Sequence, residues 1–207
     1  MINGLPFPIT LDLRLGNTCN SQCIMCRPQD SSKWVSLGNK LSNAFDEGYL
    51  RQEWKHKSSL NLFDFEWYKN KEFWNELYEL IPNIQHIIFG GGEPLYIEEH
   101  YNFIDKVIEM GESNHISLRY HTNATIMNKD LIKKWENFDN VEVMLSIDDY
   151  SIRNDYIRYP SKWKDVLETM KLLEESPDNV FPKINTTVSL LNVFYLWEFA
   201  EWMIQQD

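Results

Sequence analysis

Three cysteines, Cys19, Cys23 and Cys26, fall within eight positions of a 207-residue chain, in the stretch GNTCNSQCIMCRP (16–28), and the chain has no others. Three thiols cannot pair off as disulfides, so this spacing asks for a group that takes three sulfurs at once. Structural zinc sites are closed by four ligands, commonly in paired C-x2-C knuckles. No fourth Cys or His stands nearby: the histidines, His56, His86, His100, His115 and His121, are scattered and read as surface or capping residues. A four-iron cube tolerates three thiolates when its last iron takes another ligand, and C-x3-C-x2-C lets one compact loop reach three corners. A catalytic thiol or a chance cluster is the alternative.

Such a loop must be held by regular elements, and the hydrophobic pattern supplies them. TLDLRLG (10–16) alternates apolar and polar residues as a strand does, and it runs directly into the cysteine stretch. Further short, β-branched runs lie at 84–90, 116–122, 141–148 and 183–190. Between them, apolar residues recur at helical spacing. Trp67, Trp74, Leu77, Tyr78 and Ile81 make one face, and Ile97, Tyr101, Ile104 and Ile108 the next. Leu131, Trp135 and Phe138 follow, then Trp163, Val166, Leu167, Met170 and Leu173, and finally Leu196, Phe199, Ala200 and Met203. These stripes read as core. Strands alternating with helices predict parallel βα units, whose ligands sit at the carboxyl ends of the strands. Residues 30–65 break the rhythm and read as an insertion after the cysteine loop, with a short helix near 42–53.

Composition narrows the function. With 43% apolar and 14% aromatic residues the chain can build a core. A net charge of −11 argues against nucleic acid as the main partner, since no basic stripe is available to neutralise phosphates. No apolar run approaches the roughly 20 residues of a membrane span, and the N-terminus has no secretory pattern. A soluble cytoplasmic protein with reduced cysteines is the expectation.

CNSQCIMC resembles the C-x3-C-x2-C signature that follows the first strand in the radical S-adenosylmethionine (radical SAM) superfamily, with Met25 where an aromatic residue often precedes the third cysteine. FGGGEPL (89–95), at the end of the second strand, resembles the family's GGE motif. There Gly90, Gly91 and Gly92 would let backbone approach a ligand, and the Glu93 carboxylate suits a cationic amino group. HTNAT (121–125) resembles T-N-G with Ala124 in place of glycine, and SIDD (146–149) resembles S-I-D-G. Asn123, Ser146 and Asp148 are thereby candidates for hydrogen bonds to a ribose or carboxylate, with turn capping as the alternative. NDYIRYP resembles a stretch in which an aspartate precedes an arginine, which makes Arg158 a candidate for the carboxylate of S-adenosylmethionine; a surface pair with Asp155 is the alternative. Asn185 and Asn192 carry no assigned role.

The resemblance implies an open, partial (β/α) barrel. It implies a 4Fe–4S cluster on Cys19, Cys23 and Cys26, with S-adenosylmethionine chelating the fourth iron and cleaved reductively to a 5′-deoxyadenosyl radical. It also implies a low-potential electron donor of the flavodoxin or ferredoxin type. The likeness is to the branch that carries SPASM or twitch extensions and modifies peptides or proteins. About five βα units are legible where the family barrel has six. The expectation is that 1–207 is the core domain alone, that no SPASM or twitch extension is included, and that a continuation or a partner completes the sheet. An iron–sulfur electron-transfer protein that does not turn over S-adenosylmethionine is the alternative, with a binding protein holding a structural metal behind it.

Overall fold

Thr10–Arg14 (β1), His86–Gly90 (β2), Ser117–Thr122 (β3), Asn140–Leu145 (β4) and Val180–Ile184 (β5) form one open sheet. Its order is β1-β2-β3-β4-β5 and every neighbouring pair is parallel. The structure, a computed structural model, describes residues 7–44 and 65–206. The α/β reading from sequence holds. Alternation makes the sheet two-faced: Ile87, Phe89, Leu118, Tyr120, Val141, Val143 and Leu145 are buried, while the residues between them are exposed or half-buried.

Helices cover the apolar face. Trp34–Ala44 (α1) follows the cysteine loop, and Lys71–Leu80 (α2) precedes β2. Glu98–Glu109 (α3), Lys129–Trp135 (α4), Ser151–Ile157 (α5), Trp163–Glu174 (α6) and Leu196–Ile204 (α7) complete the set. Phe103, Ile104 and Val107 of α3 meet Trp135, Val166 and Phe199 in one core with the strands. Each large side chain so buried contributes about 1.5–3 kcal/mol.

Several boundaries differ from the sequence reading. The first helical face is broken at Asn70: Trp67–Lys69 is a separate 3-10 turn, and the Asn70 side chain accepts from the Glu72 amide to start α2. On the later helices Leu167 and Ala200 are exposed rather than core. Of the helix expected near 42–53, residues 42–44 form the end of α1, and residues 45–64 lie outside those described. Gly38 and several Ser and Asn residues, all weak helix formers, hid α1 from a propensity reading. α5 carries no clear apolar period and was not expected.

β5 begins at Val180, three residues before the expected start, and ends at Ile184. Pro182 sits in its middle. Val141 N donates to Asn179 O and Asn185 N to Leu145 O, so odd-numbered residues face β4 and Pro182 has its missing N–H on the open side. A proline is tolerated on an edge strand for that reason, and it also removes a donor that an added strand would use. Among the described residues β5 is thus an edge strand, shorter than the run expected over 183–190 and blunted at its centre. Among the described residues no helix is long and apolar enough to cross a membrane.

Candidate functional site

The cysteine loop leaves β1 and is stitched down along its length. Ile24 N donates to Ile157 O at 2.9 Å and Gln22 N to Tyr159 O, which ties the loop to the end of α5. Asn17 Nδ2 donates to Pro28 O (2.8 Å), Ser31 Oγ to Ser21 O (2.6 Å) and the Trp34 indole to Cys23 O (2.9 Å). Asn17, Ser21 and Ser31 are buried, so these bonds satisfy polar groups that would otherwise be costly. Residues 30–34, read from sequence as the start of an insertion, are part of the support of this loop.

The glycine turn after β2 packs on the loop's backbone. Gly92 N donates to Gly16 O at 3.1 Å and Glu93 N to Thr18 O at 2.8 Å. A Cβ on Gly92 would stand 2.1 Å from Thr18 O, and one on Gly91, at φ +100°, 2.7 Å from Gly16 O. The space a side chain would need at Gly91 and Gly92 is thus taken by the cysteine loop itself. A Cβ on Gly90 would meet nothing within 4 Å.

Glu93 is 1% exposed. Its Oε1 accepts from Thr122 Oγ1 (2.8 Å) and Leu95 N (3.2 Å), and its Oε2 accepts from Asn123 N (2.7 Å). No cation touches it among the described residues, and one lone-pair position stays without a donor. Burial pushes its carboxyl up to about 7, against the opposing pull of those donors. A buried carboxylate held this way gains most from a positively charged or N–H-rich group.

Asn123 joins this turn to the cysteines. Its Nδ2 donates to Asn20 Oδ1 at 2.7 Å and to Ser21 Oγ at 3.1 Å, and lies 3.9 Å from Cys19 Sγ. Its Oδ1 accepts from Thr125 N and Oγ1. Ala124, where the family stretch has glycine, is held at φ +61° and fully buried. That left-handed conformation is the one glycine adopts most readily.

The end of β4 brings two candidates together that the sequence treated separately. Arg158 Nε lies 2.8 Å from Asp148 Oδ2 and Nη2 donates to Oδ1 at 3.0 Å, both side chains being buried. Thr187 N also donates to Asp148 Oδ1 (2.8 Å). Arg158 therefore pairs with Asp148 rather than with Asp155 at the surface. Its remaining Nη1 reaches Cys23 Sγ at 3.9 Å. Ser146 is half-buried, and its amide donates to Thr122 O. Asp149, standing where the family stretch has glycine, is buried and paired with Arg153 at 2.7 Å. Asn192 is fully buried and fastens the 187–192 segment to Asp148 O; Asn185 is exposed.

The sulfurs sit in unlike surroundings. Burial pushes the Cys19 thiol up to about 11 although the Ser21 amide favours its thiolate. The hydrogen bond from Cys26, and then the Arg158 guanidinium, draws Cys23 down to about 7 against burial. Cys26, holding the shared proton, is shifted upward. Among the described residues no three ligating side chains converge on a single ion. A cube that takes one thiolate per iron asks for no such convergence, and donors at Ser21 N, Asn123 Nδ2 and Arg158 Nη1 surround the sulfurs. The donor set fits a cluster.

Thr122, Asn20, Ser21 and Ser31 were not singled out from sequence, because their partners stand ten to about a hundred positions away. Thr122 had a signal as the neighbour of Asn123 in a quoted motif, and Asn20 and Ser21 had one as members of the quoted cysteine stretch. His100 departs from its surface reading: it is fully buried on α3, 3.0 Å from the Tyr120 hydroxyl, behind the sheet.

The family model described as the Radical SAM superfamily matches residues 13–200. No curated protein matches the chain. Among solved structures the chain is similar to Streptococcus suis SuiB bound to the precursor peptide SuiA, at 17% identity and TM-score 0.54, covering 94% of this chain and 37% of that one. It is similar also to SuiB bound to S-adenosylmethionine (16%, TM-score 0.55, 94% and 38%). A further SuiB structure gives 14% identity and TM-score 0.55, with 96% and 37% covered. At these identities the likeness is one of fold, and the chain spans little more than a third of that protein's length.

Proposed function

The chain belongs to the radical SAM superfamily, and on that footing we propose that it binds a 4Fe–4S cluster through Cys19, Cys23 and Cys26 and cleaves S-adenosylmethionine reductively. A bound cluster supplies the single electron that splits the S–C5′ bond, giving methionine and a 5′-deoxyadenosyl radical that takes a hydrogen atom from the substrate.

The chain's own residues prepare that chemistry. Glu93 accepts N–H hydrogen bonds from the amino group of the methionine moiety, at the lone pair its three protein donors leave vacant. Asn123 holds the cysteine loop against the Glu93 turn and fixes the distance between the two. Arg158, oriented by Asp148, sets its Nη1 beside Cys23 and would donate to the carboxylate of the ligand. Ser146, half-buried just past the end of β4, would donate to the ribose. Donors around the sulfurs favour thiolates and tune the site's potential.

One observation carries this reading: a buried carboxylate that pairs with no cation among the described residues stands one turn from a three-cysteine loop, both at the carboxyl ends of parallel strands. An electron-transfer protein has no use for such a carboxylate. A low-potential donor of the flavodoxin or ferredoxin type supplies the electron, and a peptide or protein is the substrate; SuiB's capture with a precursor peptide supports the latter. Anaerobic reconstitution followed by iron and sulfide analysis, with chromatography for 5′-deoxyadenosine, tests it. About four irons with matching sulfide, and 5′-deoxyadenosine formed under reduction, are expected. Stoichiometric zinc without sulfide, or a cluster that leaves S-adenosylmethionine intact, overturns the reading.

A further inference from the structure

The sheet face turned away from the helices is charged, and in a particular order. The register sets Asp12, Ile88, Arg119, Glu142 and Phe181 side by side across all five strands. One step nearer the cysteine loop, Arg14 pairs with Gly90, and His121 with Met144 and then Lys183. Gly90 follows Phe89, whose partner is Tyr120, so it lies level with His121.

Three cations thus meet two carboxylates on a chain whose net charge is −11. Arg119 and Lys183 both bond to Glu142, Arg119 at 2.6–2.7 Å, while Arg14 bonds to Asp12 at 3.2 Å. Two cations sharing one carboxylate leave a positive charge in excess, and both side chains are half exposed. Below them a hollow of about 360 Å³ opens among Thr10, His86, Ile88, Ser117, Arg119 and Glu142. At Gly90 the sheet floor carries no side chain and a Cβ would meet nothing, so the protein's own packing does not require glycine there. A ligand lying close to the strand would.

We propose that this open face holds an acidic, extended peptide segment of the substrate, with Arg14, Arg119 and Lys183 setting the preference for carboxylates and Gly90 giving its backbone room. The inference rests on the peptide reading above and names its chemistry. Length argues for a peptide over a small diacid. Four interstrand spacings separate Arg14 from Lys183, roughly 19 Å, which is the reach of about six extended residues. Ile88 and Met144 within the two rows, and Phe181 at their β5 end, offer apolar contacts along that path.

The test is calorimetric titration of the reconstituted full chain with an octapeptide of alternating Ala and Glu, its Gln counterpart and its Lys counterpart. The Glu peptide should bind about tenfold tighter than the Gln peptide at low salt, an advantage falling severalfold in high salt. Lys183→Glu should reverse the order of the Glu and Lys peptides, and Arg14→Gln should narrow it. Gly90→Val should weaken the Glu peptide. Equal affinity for the Glu and Gln peptides in the unmodified chain overturns the proposal even if no variant folds. Glutarate binding as tightly as the octapeptide overturns the extended-peptide claim. Formation of 5′-deoxyadenosine on the same preparation is scored separately. Its absence alongside a clear Glu preference would sink the radical reading and leave this one standing.

Discussion

Arg158 grips Asp148 with two nitrogens, at 2.8 and 3.0 Å, and holds a third 3.9 Å from Cys23 Sγ. The segment after β4 and the cysteine loop after β1 are thereby linked through one guanidinium. Each of these side chains is buried, so the pair has no solvent to fall back on.

Arg158→Met should therefore cost about 3–5 kcal/mol of unfolding free energy, because Asp148 is left charged and buried with the Thr187 amide for company. Asp148→Asn should cost a similar amount. The Arg158→Met/Asp148→Leu double variant should recover much of the loss, as apolar replacement of both partners removes the uncompensated charge. Urea denaturation of the four proteins checks this, and single-variant losses below about 1 kcal/mol would show that the pair is not desolvated as described.

The glycines of the turn separate in the same kind of measurement. Gly92→Ala should destabilise by more than 2 kcal/mol, since its Cβ would stand 2.1 Å from a carbonyl oxygen that has no freedom to swing aside. Gly90→Ala should be neutral or stabilising by about 0.5–1 kcal/mol, because an extended residue gains from losing glycine's unfolded-state freedom. Equal losses at the two positions would contradict the packing of the turn against the cysteine loop.

Much of this arrangement is legible in the sequence for a physical reason. One period-two run and four short β-branched runs located the five strands, and the cysteine and glycine motifs needed only the parallel βα rule to fall at the same end of the sheet. What stayed hidden was the partner of each polar residue. Asp148 and Arg158 were both visible as candidates, yet their pairing depends on how α5 returns over the sheet. Gly92 was visible as a glycine, but whether it makes room for ligand or for Thr18 is a question about a loop some seventy positions away. Edges were misplaced where tertiary context overrode local preference: Pro182 fits inside β5 because its N side faces outward, and Asn70 broke a helix that the Trp67–Trp74 spacing continued.

Replacing Cys19, Cys23 or Cys26 singly with Ala should leave the far-ultraviolet circular dichroism unchanged while lowering iron to well under one cube per chain. Sheet and helices hold the loop at Asn17, Ser31 and Trp34, none of which needs the sulfurs. Iron analysis beside the spectrum checks both halves. A variant that keeps its full iron content would remove that cysteine from the ligand set.

Glu93 gives the sharpest pH dependence. Its carboxyl is raised to about 7 in the folded chain, first by burial, from an ordinary value near 4.5. Between those two pH values the folded state binds the proton that the unfolded state has released, so stability falls as pH rises through the window, by about 3 kcal/mol in all. Glu93→Gln cannot ionise and should lose this slope, gaining on the unmodified chain at pH 8 and gaining nothing at pH 4. Ligand binding should run the other way. An amino group donating N–H bonds to Glu93 prefers the carboxylate to the carboxylic acid, so S-adenosylmethionine affinity should climb from pH 6 to pH 8 in the unmodified chain. In Glu93→Gln it should be flat and weaker by about 1.5–3 kcal/mol, roughly tenfold to a hundredfold. Paired denaturation and binding titrations across that range separate the two effects. Matching pH profiles in the two proteins would mean that Glu93 neither titrates in this window nor meets the ligand.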